Sequence, residues 1–131
     1  MFRLFNRRNQ AQRVLLLGLD CASPSLIFEQ FKDSLPTLSA LMDKGTWGVL
    51  KSSTPCITVP AWSSMTSSRD PGVLGIYGFR NRADYDYDSL YVADGRAVKE
   101  KRIWDYVGEA DKQSLVLNVP QTCPVKPING H

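Results

Sequence analysis

The chain has 131 residues, 43% hydrophobic and 22% charged, with a formal net charge of +3 at pH 7. That is the length of one ordinary domain and the balance of a soluble globular protein. Four arginines and no acid fall within residues 1–13, "MFRLFNRRNQAQR", so the rest is near neutral, which argues against a binder of duplex nucleic acid.

Residues 1–12 form a basic N-terminal arm, and residues 13–131 are expected to form one α/β unit. The arm and the following "VLLLGL" are not expected to be a secretory signal. The apolar run is only about six residues, below the roughly 7–15 of such a signal, and it ends on Asp20 without a small-residue cleavage site. No run reaches the roughly 18–20 apolar residues of a membrane-spanning helix. Three cysteines, Cys21, Cys56 and Cys123, are odd in number and widely spaced. They fit a reducing compartment, and the expected location is the cytoplasm.

"RVLLLGL" (13–19) reads as a buried strand of a parallel sheet, apolar on both faces. "SPSLIFEQFKD" follows as a helix, with Ser23 as N-cap and Pro24 at the first helical position. "PTLSALMDKG" (36–45) is a second helix, with Leu38, Leu41 and Met42 on its apolar face and Gly45 as its stop. "TWGVLKSS" (46–53) is a second strand. "VPAWSSMTSS" (59–68) begins a helix with Pro60 in its first turn, and "RDPGVLGIYGF" (69–79) is a Gly- and Pro-rich loop. Residues 81–95 look irregular and polar. "KEKRIWDYVGEADK" (99–112) is an amphipathic helix with Ile103, Trp104 and Val107 inward. "SLVLNVP" (114–120) is a third buried strand, and the tail "QTCPVKPINGH" is a loop. The alternation predicts an α/β fold with a largely parallel sheet and helices on both faces. Ligands bind such sheets at the carboxyl ends of the strands.

Two residues fall at such ends. Asp20 closes the first strand, where a carboxylate can bind a cation through oxygen or simply start a turn. Thr58 lies a few residues beyond the second strand, just before a helix. The stretch "CITVPAWSSMTSS" (56–68) holds six hydroxyl side chains. A hydroxyl at a helix N-terminus lies near free N–H groups that can hold a phosphate, and a metal on it would make it an alkoxide nucleophile. The competing role is a helix cap.

Four segments together resemble the type I phosphodiesterase and nucleotide pyrophosphatase branch of the alkaline phosphatase superfamily. They are "VLLLGLD", "TPCITVPAW", "RDPGVLGIYGF" and "LNVPQTCPVKPING", in this order. The resemblance implies an alkaline-phosphatase-like α/β fold. It implies Asp20 as a metal ligand and Thr58 as both nucleophile and second ligand. It also implies two divalent metal ions, usually zinc, a phosphothreonine intermediate and a small phosphate ester or nucleotide as substrate. Sulfatases are disfavoured, because their formylglycine arises from Cys or Ser in C-x-P-x-R, whereas this chain has Thr58-Val59-Pro60-Ala61-Trp62. Cys56, two residues early, is expected to be a small buried residue. The alternatives are a phosphomonoesterase or phosphomutase of the same superfamily, or a non-catalytic remnant or interaction domain.

The chain departs from the family pattern at three places. Ala61-Trp62 stands where nucleotide pyrophosphatases often have an Asn that contacts phosphate. Ser67-Ser68 replaces the Thr-Gly that often ends the nucleophile helix, at a turn where positive φ is needed. Cys21 stands where many relatives have Gly. "DYDYDSLYVADG" (84–95) lacks the Gly and Glu of a calcium loop and reads as a solvated loop or hairpin. "KEKR" (99–102) reads as a solvated helix start, and Trp47, Trp62 and Trp104 as core or cleft wall. The one histidine is His131, so the remaining ligands of a zinc site are not in this sequence. It therefore reads as the N-terminal part of a larger enzyme, inactive alone.

Overall fold

The structure, a computed structural model, describes residues 13–131; the basic arm 1–12 lies outside them. After the apolar run 13–19, a π-helical turn at Leu26–Gln30 and a 3-10 turn at Lys32–Ser34 take the place of the regular helix expected there. Helix α1 spans Pro36–Lys44 and stops at Gly45, as its Pro and Gly predict. Helix α2 spans Thr58–Ser67, and α3 is a short helix, Pro71–Leu74, inside the expected loop. Asp70 caps α3: its Oδ1 accepts the N–H groups of Gly72 and Val73 at 2.8 and 3.1 Å. Strands β1 (Arg80–Arg82) and β2 (Leu90–Val92) form an antiparallel hairpin with Asn81 opposite Tyr91. Helix α4 spans Ile103–Glu109.

The protein thus mixes helix and strand, but the largely parallel sheet differs from expectation. Among the described residues the one sheet is the two-stranded hairpin. The runs 13–19 and 46–53 carry no ladder. The run 114–120 pairs only at its start, through a parallel bridge between Ser114 and Gly130. There Val116 N–H donates to the His131 carbonyl at 2.7 Å, and His131 N–H to that of Ser114 at 2.9 Å. The tail is therefore not wholly a loop. A side chain at residue 130 would overlap the Ser114 carbonyl, so the close approach needs Gly130.

The core is small and lies under α2. Val59, Ile76, Ala93 and Val98 are buried, with Leu74, Tyr91 and Ala97 packed against them. Asn81, also buried, secures the loop before the hairpin: its side chain accepts the Tyr77 N–H and donates to the Gly78 carbonyl. Because Val59 and Pro60 are buried, the preceding Thr58 is left half-buried at the helix's outer edge. On α4, Trp104 and Val107 are half-buried as expected, but Ile103, the first residue of the helix, is exposed. Leu41, expected on the buried face of α1, is also exposed.

All three apolar runs expected as strands expose their large side chains: Leu15 is 87% exposed, Leu50 88% and Leu117 71%. Exposed apolar runs with unpaired backbone invite association. We expect the isolated chain to self-associate with rising concentration, and Leu15→Lys with Leu17→Lys to shift it toward monomer in light scattering. A monodisperse monomer that melts cooperatively would count against this.

Helix α2 ends on Ser68 in the left-handed region, φ 57° and ψ 32°, with its N–H donating to the Ser64 carbonyl at 2.8 Å. The resemblance noted above leads one to expect glycine at this turn, and the chain has serine. A non-glycine residue there costs on the order of 1 kcal/mol. Ser68→Gly is expected to raise stability by about 0.5–1 kcal/mol, read as a higher urea midpoint; an unchanged or lower midpoint would refute it.

Candidate active site

Asp20 and Thr58, 38 residues apart in sequence, meet. The Thr58 hydroxyl donates to the Asp20 carboxylate, 3.2 Å from Oδ2 and 3.4 Å from Oδ1. The local chain explains why. Ile57 is extended (φ −111°, ψ 150°) and acts as N-cap, so Thr58 is the first helical residue. No side chain caps α2; the Thr58 hydroxyl faces a carboxylate and does not fold back on the helix backbone. Pro60 falls in the first turn, where its missing N–H costs nothing. The helix opens with the bond from Ala61 N–H to the Ile57 carbonyl at 3.0 Å. The Thr58 N–H, which lies on the cleft wall, makes no hydrogen bond among the described residues, and such a group suits an anion; Val59 is fully buried.

Asp20 reaches α2 through a close packing contact two residues earlier. A methyl group on Gly18 would overlap the indole ring of Trp62. Trp62 lies four residues after Thr58, hence on the same side of α2. Glycine lets the backbone of 18–20 lie against that ring. The chain then turns at Asp20 and Cys21, with Cys21 in the left-handed region (φ 58°) and Ser23 N–H donating to its carbonyl at 3.0 Å. Cys21 thus occupies, without glycine, a conformation that favours glycine.

A cleft of about 950 Å³ opens over the pair, with the loop Ser52–Thr54, Trp62 and Ser64 among its walls. Lys51, which the sequence pattern does not single out, is the one cation among the described lining residues. Its place in an apolar-to-polar run, "GVLKSS", gives no sign of it. The Ser64 hydroxyl is buried on this wall without a partner. Cys56 is exposed and lines the cleft, so it is not the small buried residue expected; it precedes the helix whose next turn meets the core. Trp62 is cleft wall as expected. Trp47 is 54% exposed and packs on Phe28, ring centroids 4.7 Å apart.

The donor set can be tested against a metal. A carboxylate and a hydroxyl at one point are oxygen ligands of the right kind for a divalent cation. Among the described residues no group of three or more His, Cys, Asp or Glu converges anywhere. The pair thus supplies two ligands, short of a four-coordinate zinc site. The acidic stretch 84–88 is instead the hairpin's turn: Asp84 and Asp86 each accept a backbone N–H two residues on, at 2.8 and 3.2 Å.

Residues 14–129 match the sequence model of the type I phosphodiesterase / nucleotide pyrophosphatase family. The match covers nearly the whole chain, and the chain belongs to that family. No curated protein and no solved structure gives a significant match. No helix among the described residues is long and apolar enough to cross a membrane.

The Gly18–Trp62 contact can be tested by a double-mutant cycle. Gly18→Ala is expected to destabilise by about 1–3 kcal/mol through overpacking. In the Trp62→Ala background the same change is expected to cost much less. Equal costs in both backgrounds, read from urea midpoints, would show that the ring does not set this approach.

Proposed function

We propose that this chain is the nucleophile-bearing part of a metal-dependent phosphodiesterase or nucleotide pyrophosphatase-like hydrolase. Thr58 is its nucleophile, and Asp20 and Thr58 are two of its metal ligands. The observation that carries this reading is the Thr58 hydroxyl facing the Asp20 carboxylate at 3.2 Å at the mouth of a cleft. Family membership supports the reaction class. The remaining ligands come from outside the described residues, as does the pairing that would turn the runs 13–19, 46–53 and 114–120 into a largely parallel sheet. The substrate is a small phosphate ester or nucleotide. Three free thiols support a cytoplasmic setting.

The chain's own groups divide the work as follows. The Thr58 N–H group and Lys51 receive the phosphoryl oxygens. Thr58 Oγ1 attacks phosphorus, forming an O–P bond while the bond to the leaving oxygen breaks. The hydroxyl proton ends on the departing oxygen, and Asp20 remains an anion able to ligate a metal. Water then attacks the phosphothreonine, releasing phosphate or a monoester and restoring the hydroxyl. Divalent ions, when bound, supply charge neutralisation and a lower hydroxyl pKa. Ala61-Trp62, in place of the Asn that contacts phosphate, leaves oxygen recognition to the backbone and Lys51.

The test uses the full-length protein with zinc, comparing bis(p-nitrophenyl) phosphate with the monoester. Thr58→Ala is expected to lower kcat by at least about 10³-fold and to abolish an acid-stable phosphothreonine at residue 58. Faster monoester turnover would overturn the diesterase assignment. Turnover unaffected by Thr58→Ala would remove Thr58 as nucleophile.

A further inference from the structure

A second cavity, of about 290 Å³, shares no lining residue with the cleft over Thr58. Its walls come from the segment before α4, from α4 itself and from the returning loop 121–131. "KEKR" reads in sequence as a solvated helix start, yet Arg102 is only 6% exposed. Its guanidinium lies 5.3 Å from the centre of the Trp104 ring, and Nη2 donates to the Gln121 carbonyl at 2.6 Å.

A buried guanidinium needs compensation, and none of the nearby acids gives it an ion pair. Asp105 Oδ2 instead accepts the backbone N–H of Arg102 at 2.7 Å. Glu100 pairs with Arg69 at 3.2 Å. Among the described residues, no carboxylate lies within ion-pair distance of the Arg102 side chain. Burial lowers its pKa from the ordinary arginine value, and the charge of Asp105 offsets part of this. Lys126, also on the wall, has one contact, 3.5 Å to the Val98 carbonyl. The Gln121 Oε1 atom, on the same wall, is buried with no donor. A buried cation without an ion pair, a second cation and an orphaned acceptor thus line one small cavity; its other walls include Glu100 and Asp105, whose carboxylates are engaged by Arg69 and by the Arg102 backbone N–H, and Val98, Val116 and Ile128.

We propose that this cavity binds a small organic anion whose phosphate or carboxylate group is held by Arg102 and Lys126 and whose hydroxyl donates to Gln121. The anionic group supplies the direct ion pair that Arg102 lacks, the hydroxyl satisfies Oε1, and the apolar wall takes the carbon skeleton. The site is independent of the Thr58 chemistry.

Calorimetric titration of the full-length Thr58→Ala protein with glycerol 3-phosphate, glycerate, inorganic phosphate and glycerol tests this. That background keeps the probes from being turned over. Glycerol 3-phosphate or glycerate is expected to bind, and which is tighter identifies the anionic group; glycerol is expected not to bind. Lys126→Met, at an exposed position, is expected to weaken binding about tenfold, and Arg102→Gln to abolish it. Gln121→Leu is expected to remove the advantage of glycerol 3-phosphate over inorganic phosphate. Should Arg102→Gln fail to fold, Lys126→Met and Gln121→Leu still decide. The proposal is overturned if neither organic anion binds, or if binding is unchanged in Lys126→Met and Gln121→Leu. It is also overturned if binding is lost on adding Asp20→Ala, which would locate it in the cleft.

Discussion

The contact on which the candidate site depends is not between charged groups. It is the approach of the Gly18 backbone to the Trp62 ring, which has no room for a side chain. That approach sets where the chain is when it turns at Asp20, two residues on. The carboxylate then comes within hydrogen-bond reach of a hydroxyl one helical turn from the same tryptophan. The small core beneath α2 contributes the other half. Val59, the second residue of the helix, is fully buried, which fixes the rotation of α2 and leaves Thr58 facing the cleft. Two weak constraints, a missing Cβ and one buried valine, thereby position a pair of polar groups that neither would position alone.

Parts of this were legible in the sequence because the signals are local. Pro36 and Gly45 bracket α1, and Pro60 in a first turn announces α2, since proline and glycine act through their own backbone geometry. Pairing of Asp20 with Thr58 is a different matter. Periodicity places each near a strand end, but only resemblance to a family placed them together. Lys51 and Gly18 carry no pattern of their own. A lysine inside an apolar run reads as an edge, and a glycine in "LLLGLD" reads as a small interruption. Arg102 shows the opposite failure, in which a run of four charged residues suggests solvent throughout. Yet the last residue of the run turns inward against Trp104, and a charge pattern contains no direction.

The strands were legible as burial demands but not as pairings. A continuous apolar run states that both faces need cover. It does not state which segment supplies the neighbouring ladder. Among the described residues the runs 13–19 and 46–53 find none, and their leucines and valines remain exposed. Only 114–116 finds a parallel neighbour, in 129–131, because glycine at 130 permits the backbones to close. Parallel pairing is non-local by nature, so its partners are the last feature a local reading yields.

The left-handed turns at Cys21 and Ser68 connect these observations. Each follows an element that bears on the site: Cys21 comes directly after Asp20, and Ser68 ends the helix that begins with Thr58. At both, the chain carries a side chain where the conformation favours glycine. A turn of this kind persists only if the surroundings over-determine it. At Cys21 they do so by the packing of the nearby Gly18 on Trp62 in the middle of α2, and at Ser68 by the helix-closing hydrogen bond to Ser64. The turn that brings Asp20 to Thr58 is therefore held by a tertiary contact, Gly18 on Trp62, against local preference.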